Sequence, residues 1–491
     1  MKKLFLLFCI SYNAVLLSQT ILNSFPLNLN NPSENGQILN IEDAKTNDIY
    51  VFAADDKYIN ILKYNKYLFL TNQYTDSLKS AENRSIIGHS ISDDGNPILY
   101  WATENLRNIR IIKYYLGTKT SKALNFDLPL SNEYIITSFQ KNNIFYILSK
   151  ETNKQHLLLY EFNNGNCEVK MFDLSTIPFQ NDNGQSLAFN TIIRYFPIEK
   201  MDADNFNTLD KTSSKSKMYV LDGHILLTFD YSLKKTQVLN LNLETLGVTE
   251  KNFDQPISKK SSKTSNSFFY ENKLLQIKVS NEELLFDIKD FDSGTILKSV
   301  AVSKNDTIRF KNSPLYLQIS DKKPQEIKTT GKFLKQLSAL NAGISAFKNA
   351  KNTFISLGGF AEYEVSNYSY GQNNFFGDFN DYGGYSQYTS KLVFFDSMLS
   401  SDLEFVSNKQ SGPLAIDNLF YYLSINKNIS LQNILKLKDY YILGYYDQNS
   451  KQYIMRKFTD GFMNEDNGNP IMNKAILSKP AKFGKIKFIE N

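Results

Sequence analysis

The sequence predicts an all-β fold, a β-propeller-like ring of about seven four-stranded antiparallel sheets. Three observations predict it. Short apolar-aromatic runs alternate with Asn-, Asp- and Gly-containing turns along most of the chain, as in β-hairpins. The apolar residues are often consecutive, which suits strands covered on both faces. The chain also has 491 residues, more than a single core usually serves, and radial repetition lets each sheet pack only on its neighbours.

The elements follow in order. Residues 49–69, and the residues around Asp93, Asp94 and Gly95, are weak copies of the unit. The clearest copy covers 134–172. There, 134–139 turns through 140–143 into 144–148, then 156–162 turns through Asn163, Asn164, Gly165 and Asn166 into 167–172. A third copy has strands at 218–221, 225–229 and 238–241, with a turn at Asp222 and Gly223. The fourth runs 267–270, 274–279, 284–288 and 296–302, with turns at Glu271-Asn272 and Asp292–Gly294. Weaker signals occupy 391–395, and strands at 434–437, 440–443 and 453–458 end the series. Inner turns near Asp94, Asn142, Asp222 and Asn272 recur at roughly 50, 80 and 50 residues, a spacing expected of blades with insertions. Tandem β-sandwich domains are the alternative that strand spacing leaves open. An outer-membrane barrel fits less well, because its strands alternate strictly over about ten residues.

Two stretches interrupt the pattern. Residues 258–267, rich in Ser and Lys, read as an exposed connection. Residues 332–349 place Phe333, Leu334, Leu337, Leu340, Ile344 and Phe347 near helical spacing, which predicts a short helix or a crossover, with Gly343 against it.

Residues 1–18 read as a secretory signal: Lys2 and Lys3, then an apolar run to Leu17 too short to span a bilayer, then polar Ser18, Gln19 and Thr20. The expected organisation is therefore a signal at 1–18 and a β-propeller-like body at 19–491, acting outside the cytoplasm, secreted or at the cell surface. No later run reaches membrane-helix length. Of the two cysteines, Cys9 leaves with the signal and Cys167 has no partner, so packing rather than disulfides must hold the body together. Net charge is +5, with Lys2 and Lys3 contributing two of it. The remaining charges are interspersed, which gives no nucleic-acid footprint. The 36 Phe and 30 Tyr against one Trp favour pleated surfaces, although an AT-rich genome would also raise their number.

No catalytic motif assembles. His89, His156 and His224 lack metal-binding spacing. Residues 88–92 approach a nucleophile elbow, but Ser92 stands where the turn needs glycine. The acidic groups Asp55-Asp56, Asp93-Asp94 and Asp202/Asp204 fit solvated turns. Asp202–Asp210 and Asp378–Asp381 space oxygen ligands closely but lack the features of a calcium loop. No cofactor or metal is expected.

The segment 368–388 is the best binding candidate. It interleaves Tyr368, Tyr370, Phe375, Phe376, Tyr382, Tyr385 and Tyr388 with Gly, Asn, Asp and Gln, and carries no Lys or Arg. Tyr pairs an apolar face with a hydroxyl, a chemistry suited to protein surfaces and sugar rings. The expectation is an exported, non-catalytic repeat protein that binds a protein or a surface glycan. A carbohydrate-active hydrolase with dispersed carboxylates is the alternative, and it requires two acids roughly 5 to 10 Å apart.

Overall fold

The structure is a computed structural model. It describes residues 19–461 apart from 31, 33–35, 79–84, 104–105, 130–131, 204, 321, 349–351, 366–386, 407–412 and 430. The expected signal and everything beyond 461 lie outside the described residues.

The described strands form seven sheets. Blade 1 is Gln37–Glu42, Ile49–Ala54, Tyr58–Tyr64 and Leu70–Ser77. Blade 2 is Ser85–Ile91, Pro97–Ala102, Asn108–Tyr115 and Thr120–Asp127. Blade 3 is the meander Glu133–Lys141, Ile144–Glu151, His156–Asn163 and Asn166–Asp173. Blade 5 is Thr264–Tyr270, Lys273–Val279, Glu283–Asp290 and Ile296–Ser303. In all four, consecutive strands pair antiparallel.

The turn chemistry explains these hairpins. Asn142 and Asn143 take φ of 48° and 65°, Asn164 and Gly165 take 51° and 82°, and Glu271 and Asn272 take 44° and 56°. Two successive left-handed residues match the twist of the flanking strands. Second strands such as Ile49–Ala54 and Pro97–Ala102 are buried throughout, whereas the fourth strand Leu70–Ser77 is mostly exposed. Burial therefore falls from the middle of each sheet to its outer edge.

Two sheets depart from the four-stranded expectation. Blade 4 contains Ser216–Val220, His224–Phe229, Lys235–Asn242 and Val248–Asp254, and a fifth strand, Ile198–Met201, pairs parallel with the first of them. Residues 202–213 then reach other blades. Asn205 accepts from the Tyr441 hydroxyl at 3.0 Å, and the Asn207 carbonyl accepts from Ser345. Blade 6 has spatial order Gln325–Ile327, Leu315–Ile319, Gln387–Leu399, Thr353–Val365, Asn341–Lys348, so its outer strands precede its inner ones in the chain. The apolar spacing of 332–349 is split here: helix Thr330–Leu337 buries Phe333, Leu334 and Leu337, and the remainder enters strand Asn341–Lys348.

Blade 7 takes Leu431–Lys436, Tyr441–Asp447 and Gln452–Phe458 from the end of the series, and Gln19–Pro26 from the start completes it. Apolar cores bridge successive blades around the whole circle. Phe145 packs on Tyr100 and Phe268 on Tyr219. Trp101 and Phe52 belong to one core, as do Leu148 and Met218, and Val393 and Phe286. Phe347 and Phe354 pack on the Leu443 cluster, and Met455 joins Val51. Seven sheets, a shared core at each junction and closure by the first strand make the chain a seven-bladed β-propeller.

Candidate functional site

Of the expected binding residues, Tyr368, Tyr370, Phe375, Phe376, Tyr382 and Tyr385 lie outside the described residues. Tyr388 is the second residue of strand Gln387–Leu399, in register with Glu364. What the structure does show is how the segment is mounted. Its flanking strands, Thr353–Val365 and Gln387–Leu399, have 13 residues each. On one side the neighbouring strand stops at Asn341, opposite Phe360; on the other it stops at Ile319, opposite Lys391. The Ser320 N–H still donates to the Ser390 carbonyl at 2.8 Å, and the pairs from Tyr363–Thr389 to Val365–Gln387 continue beyond both neighbours as a two-stranded ribbon. Residues 366–386 join its far end.

Beside the base of this ribbon is a cavity of about 510 Å³. Strand register explains its position. Ser216 faces Phe229 and Thr264 faces Val279, so these two strand starts sit beside the ends of their partners, while Asn341 faces Phe360 at the base of the ribbon. Lys215 and Thr264, with Asn341 from the neighbouring blade, line the cavity together with Asp230 and Tyr231. Ala361 and Tyr363 from the ribbon line it too.

Behind the cavity lies a buried polar network. Lys217 and Asp230 are both fully buried and pair at 3.1 Å. Asp230 Oδ2 also accepts from the Ser267 N–H at 3.0 Å and its hydroxyl at 2.8 Å. Its Oδ1 accepts from Thr236 Oγ1 at 2.7 Å and Gln255 Nε2 at 3.3 Å. Every acceptor position of Asp230 is thus engaged, which is what makes a buried carboxylate tolerable. Lys217 also donates to Asn266 Oδ1. Burial lowers the Lys217 ammonium below its ordinary value, against the opposing pull of Asp230.

Lys215 differs from Lys217. It donates to the Ser265 carbonyl and approaches Thr264 Oγ1 at 3.5 Å, both neutral acceptors. Burial pushes its pKa down to about 8 from 10.5, with Asp230 raising it and Lys217 lowering it. A cation in this position, contacting uncharged groups, favours an incoming anion.

Of the acids considered for hydrolysis, Asp55, Asp93, Asp94 and Asp202 are otherwise occupied. Asp55 caps its own turn, accepting from the Lys57 N–H at 2.8 Å and the Tyr58 N–H at 2.7 Å. Asp93 pairs with Lys45 at 2.7 Å, Asp94 with Lys113 at 2.8 Å, and Asp202 with Lys200 at 2.7 Å. Asp204, Asp378 and Asp381 lie outside the described residues. The elbow-like residues 88–92 run along a strand and into a turn, where Ser90 shares a 2.8 Å hydrogen bond with Tyr100. His89 is held down to about 4 by desolvation, His156 contacts Glu151 at 2.9 Å, and His224 contacts the Asp222 carbonyl at 2.9 Å. Among the described residues, no three His, Cys, Asp or Glu side chains gather to hold a metal.

The sequence reading did not single out Lys215, Lys217 or Asp230. A signal was present: Lys at alternate positions opens one apolar run, and Asp immediately closes the next. Once the two runs are paired as a hairpin, those charges must meet at one end.

No protein-family model matches the chain. Comparison with curated proteins finds no relative. Among solved structures, the chain is similar to the Dos1 propeller, at 10% identity over 89% of this chain and 83% of that one, with a TM-score of 0.26. It is similar to the WD40 domain of SCAP from fission yeast at 10% identity, covering 87% and 82%, with a TM-score of 0.29. The Nup133 β-propeller domain of Vanderwaltozyma polyspora is matched at 8% identity, covering 67% and 82%, with a TM-score of 0.26. Likenesses this distant carry no argument. The sheet order and ring closure carry the propeller assignment.

Proposed function

We propose that this propeller is an exported, non-catalytic binding scaffold of the cell exterior that holds a protein or a surface glycan through its ribbon face. The observation that carries this reading is the ribbon itself. A hairpin that outruns both neighbouring strands gains no further sheet pairing within the blade, yet its base lines an open cavity through Ala361 and Tyr363, and the chain between its two strands is the aromatic, Gly- and Asn-rich stretch 366–386. Such segments, mounted on a rigid frame, are where binding concentrates in β-proteins. Export is supported by the basic-apolar-polar order of residues 1–18, after which the ring-closing strand begins at Gln19. The hydrolase reading finds less support, since the acids at 55, 93, 94 and 202 serve turns and ion pairs.

Replacing residues 367–385 with a short Gly-Ser linker tests the proposal. The variant is expected to keep the wild-type melting temperature and to lose most co-sedimentation with isolated cell-envelope material. Periodate and protease treatment of that material then assign the partner as glycan or protein. Undiminished co-sedimentation would remove residues 367–385 from the binding site.

A further inference from the structure

We propose that the cavity at the junction of blades 4, 5 and 6 binds a carboxylate-bearing sugar, a uronic acid unit of a surface glycan. This rests on the binding reading above and narrows its ligand. Charge argues first. Lys215 and Lys263 both line the cavity, and neither has a carboxylate within ion-pair distance among the described residues. The acids nearby are committed. Asp230 is saturated by Lys217, Ser267, Thr236 and Gln255. Asp182 accepts from the Ser232 hydroxyl and from the Leu233 N–H at 3.2 Å. Since Asp182 has only these neutral donors, two unpaired ammonium groups face one unpaired carboxylate around the partly enclosed volume. The surplus positive charge favours an anionic guest, and charge-assisted hydrogen bonds to a carboxylate are the strong ones.

Size and lining then choose among anions. A volume of about 510 Å³ falls in the range of small-molecule sites, larger than a bare inorganic ion needs. Tyr231 and Tyr363 line it, and such rings pack on the apolar face of a sugar; the Tyr231 hydroxyl itself donates to Gln237 Oε1 at 2.6 Å. The Thr264 hydroxyl and the Asn341 amide add mixed donor and acceptor groups at the wall, as a hydroxyl-rich ring requires. An acidic peptide would use the same lysines but would gain less from the two rings.

Calorimetric titration of the purified chain with D-glucuronate and trigalacturonate tests the inference, with D-glucose, maltotriose and an Asp/Glu hexapeptide as comparisons. The acidic sugars are expected to bind at least about tenfold more tightly than the neutral ones, the value of one hydrogen bond to a charged group. Lys263→Glu, at an exposed position, is expected to weaken uronate binding about tenfold without shifting the melting temperature. Tyr363→Ala, at a ribbon position 44% exposed, should reduce affinity for acidic and neutral sugars alike. Equal affinity for neutral and acidic sugars, no sugar binding by the folded protein, or tighter binding of the peptide would each overturn the proposal. Because the titration uses a soluble monosaccharide, it can fail while loop-dependent envelope binding persists, and the reverse outcome is equally visible.

Discussion

Asp230 links two blades through one carboxylate. It belongs to the end of a blade 4 hairpin, yet it accepts from Ser267 on the first strand of blade 5 as well as from Lys217 and Thr236 within its own sheet. Removing one member of a buried ion pair leaves the other uncompensated, at a cost of about 3–5 kcal/mol. Asp230→Ala should therefore destabilise the protein by that amount in urea melts. Lys217→Met combined with Asp230→Ala should cost clearly less than the sum of the single changes. Additive losses would show that the pair acts independently. Lys215, at the cavity edge, gives a pH-dependent counterpart. Its pKa in the fold, about 8, lies below its ordinary value of 10.5. Below pH 8 the ammonium is charged in both folded and unfolded chains, and the burial penalty is fully present. As pH rises from 8 toward 10.5, the folded chain releases this proton first, so this group's contribution to stability rises. Asp182 and Lys263 line the same cavity, and Asp230 and Lys217 set opposite pulls on Lys215. Lys215→Met lacks the penalty. Its stability advantage over wild type should narrow across that pH window, and a difference constant with pH would show that burial does not govern Lys215.

At the scale of elements, what was legible in the sequence follows from which interactions are local. Hairpins closed by Asn142-Asn143, Asn164-Gly165 and Glu271-Asn272 are set by four or five consecutive residues, so the blade 3 and blade 5 meanders could be read directly. The strand order of blade 6 could not. Its chain passes from Leu315–Ile319 and Gln325–Ile327 on the outside, through a helix, to Asn341–Lys348 on the inside. Only the long-range pairing of Tyr316 with Phe394 reveals that order. Residues 332–349 held the expected short helix but hid where it ends, for a related reason: Ala342, Ile344 and Ala346 of strand Asn341–Lys348 are buried in the core shared with blade 5, and an apolar run flanking a real helix imitates its continuation. Parallel pairing of Ile198–Met201 with Ser216–Val220 was equally hidden, since parallel strands require a crossover rather than a turn. The candidate site divides the same way. The aromatic segment was visible as composition, whereas the cavity at the base of the ribbon is assembled from three blades.

The whole molecule depends on a closure that joins the two ends of the described chain. Gln19–Pro26 pairs with Gln452–Phe458, from Gln19–Phe458 to Pro26–Gln452. Close by, Asn40 of blade 1 locks onto blade 7. Its N–H donates to Asn433 Oδ1 at 2.9 Å, its amide donates to the Asn433 carbonyl at 3.1 Å, and its Oδ1 accepts from the Tyr453 hydroxyl at 2.7 Å. Gly444 makes room for this lock, because a Cβ there would come within 2.3 Å of the Tyr453 hydroxyl. In a ring, each blade is supported on two sides, and opening one junction removes a support from both neighbours. Deleting residues 19–26 leaves the edge of Gln452–Phe458 unpaired while the Asn40 lock remains. Blades 7 and 1 should then melt before the rest, so the single denaturation transition of the closed ring becomes two. Supplying residues 19–26 as a peptide in trans should restore one transition in proportion to its concentration, because a ligand that binds only the folded state stabilises it by mass action. Hydrogen exchange should locate the early event in residues 37–77 and 431–458. If the shortened chain melts in one transition at the wild-type midpoint, closure is held by the side-chain lock and the interblade cores, and the first strand serves only to cover an edge.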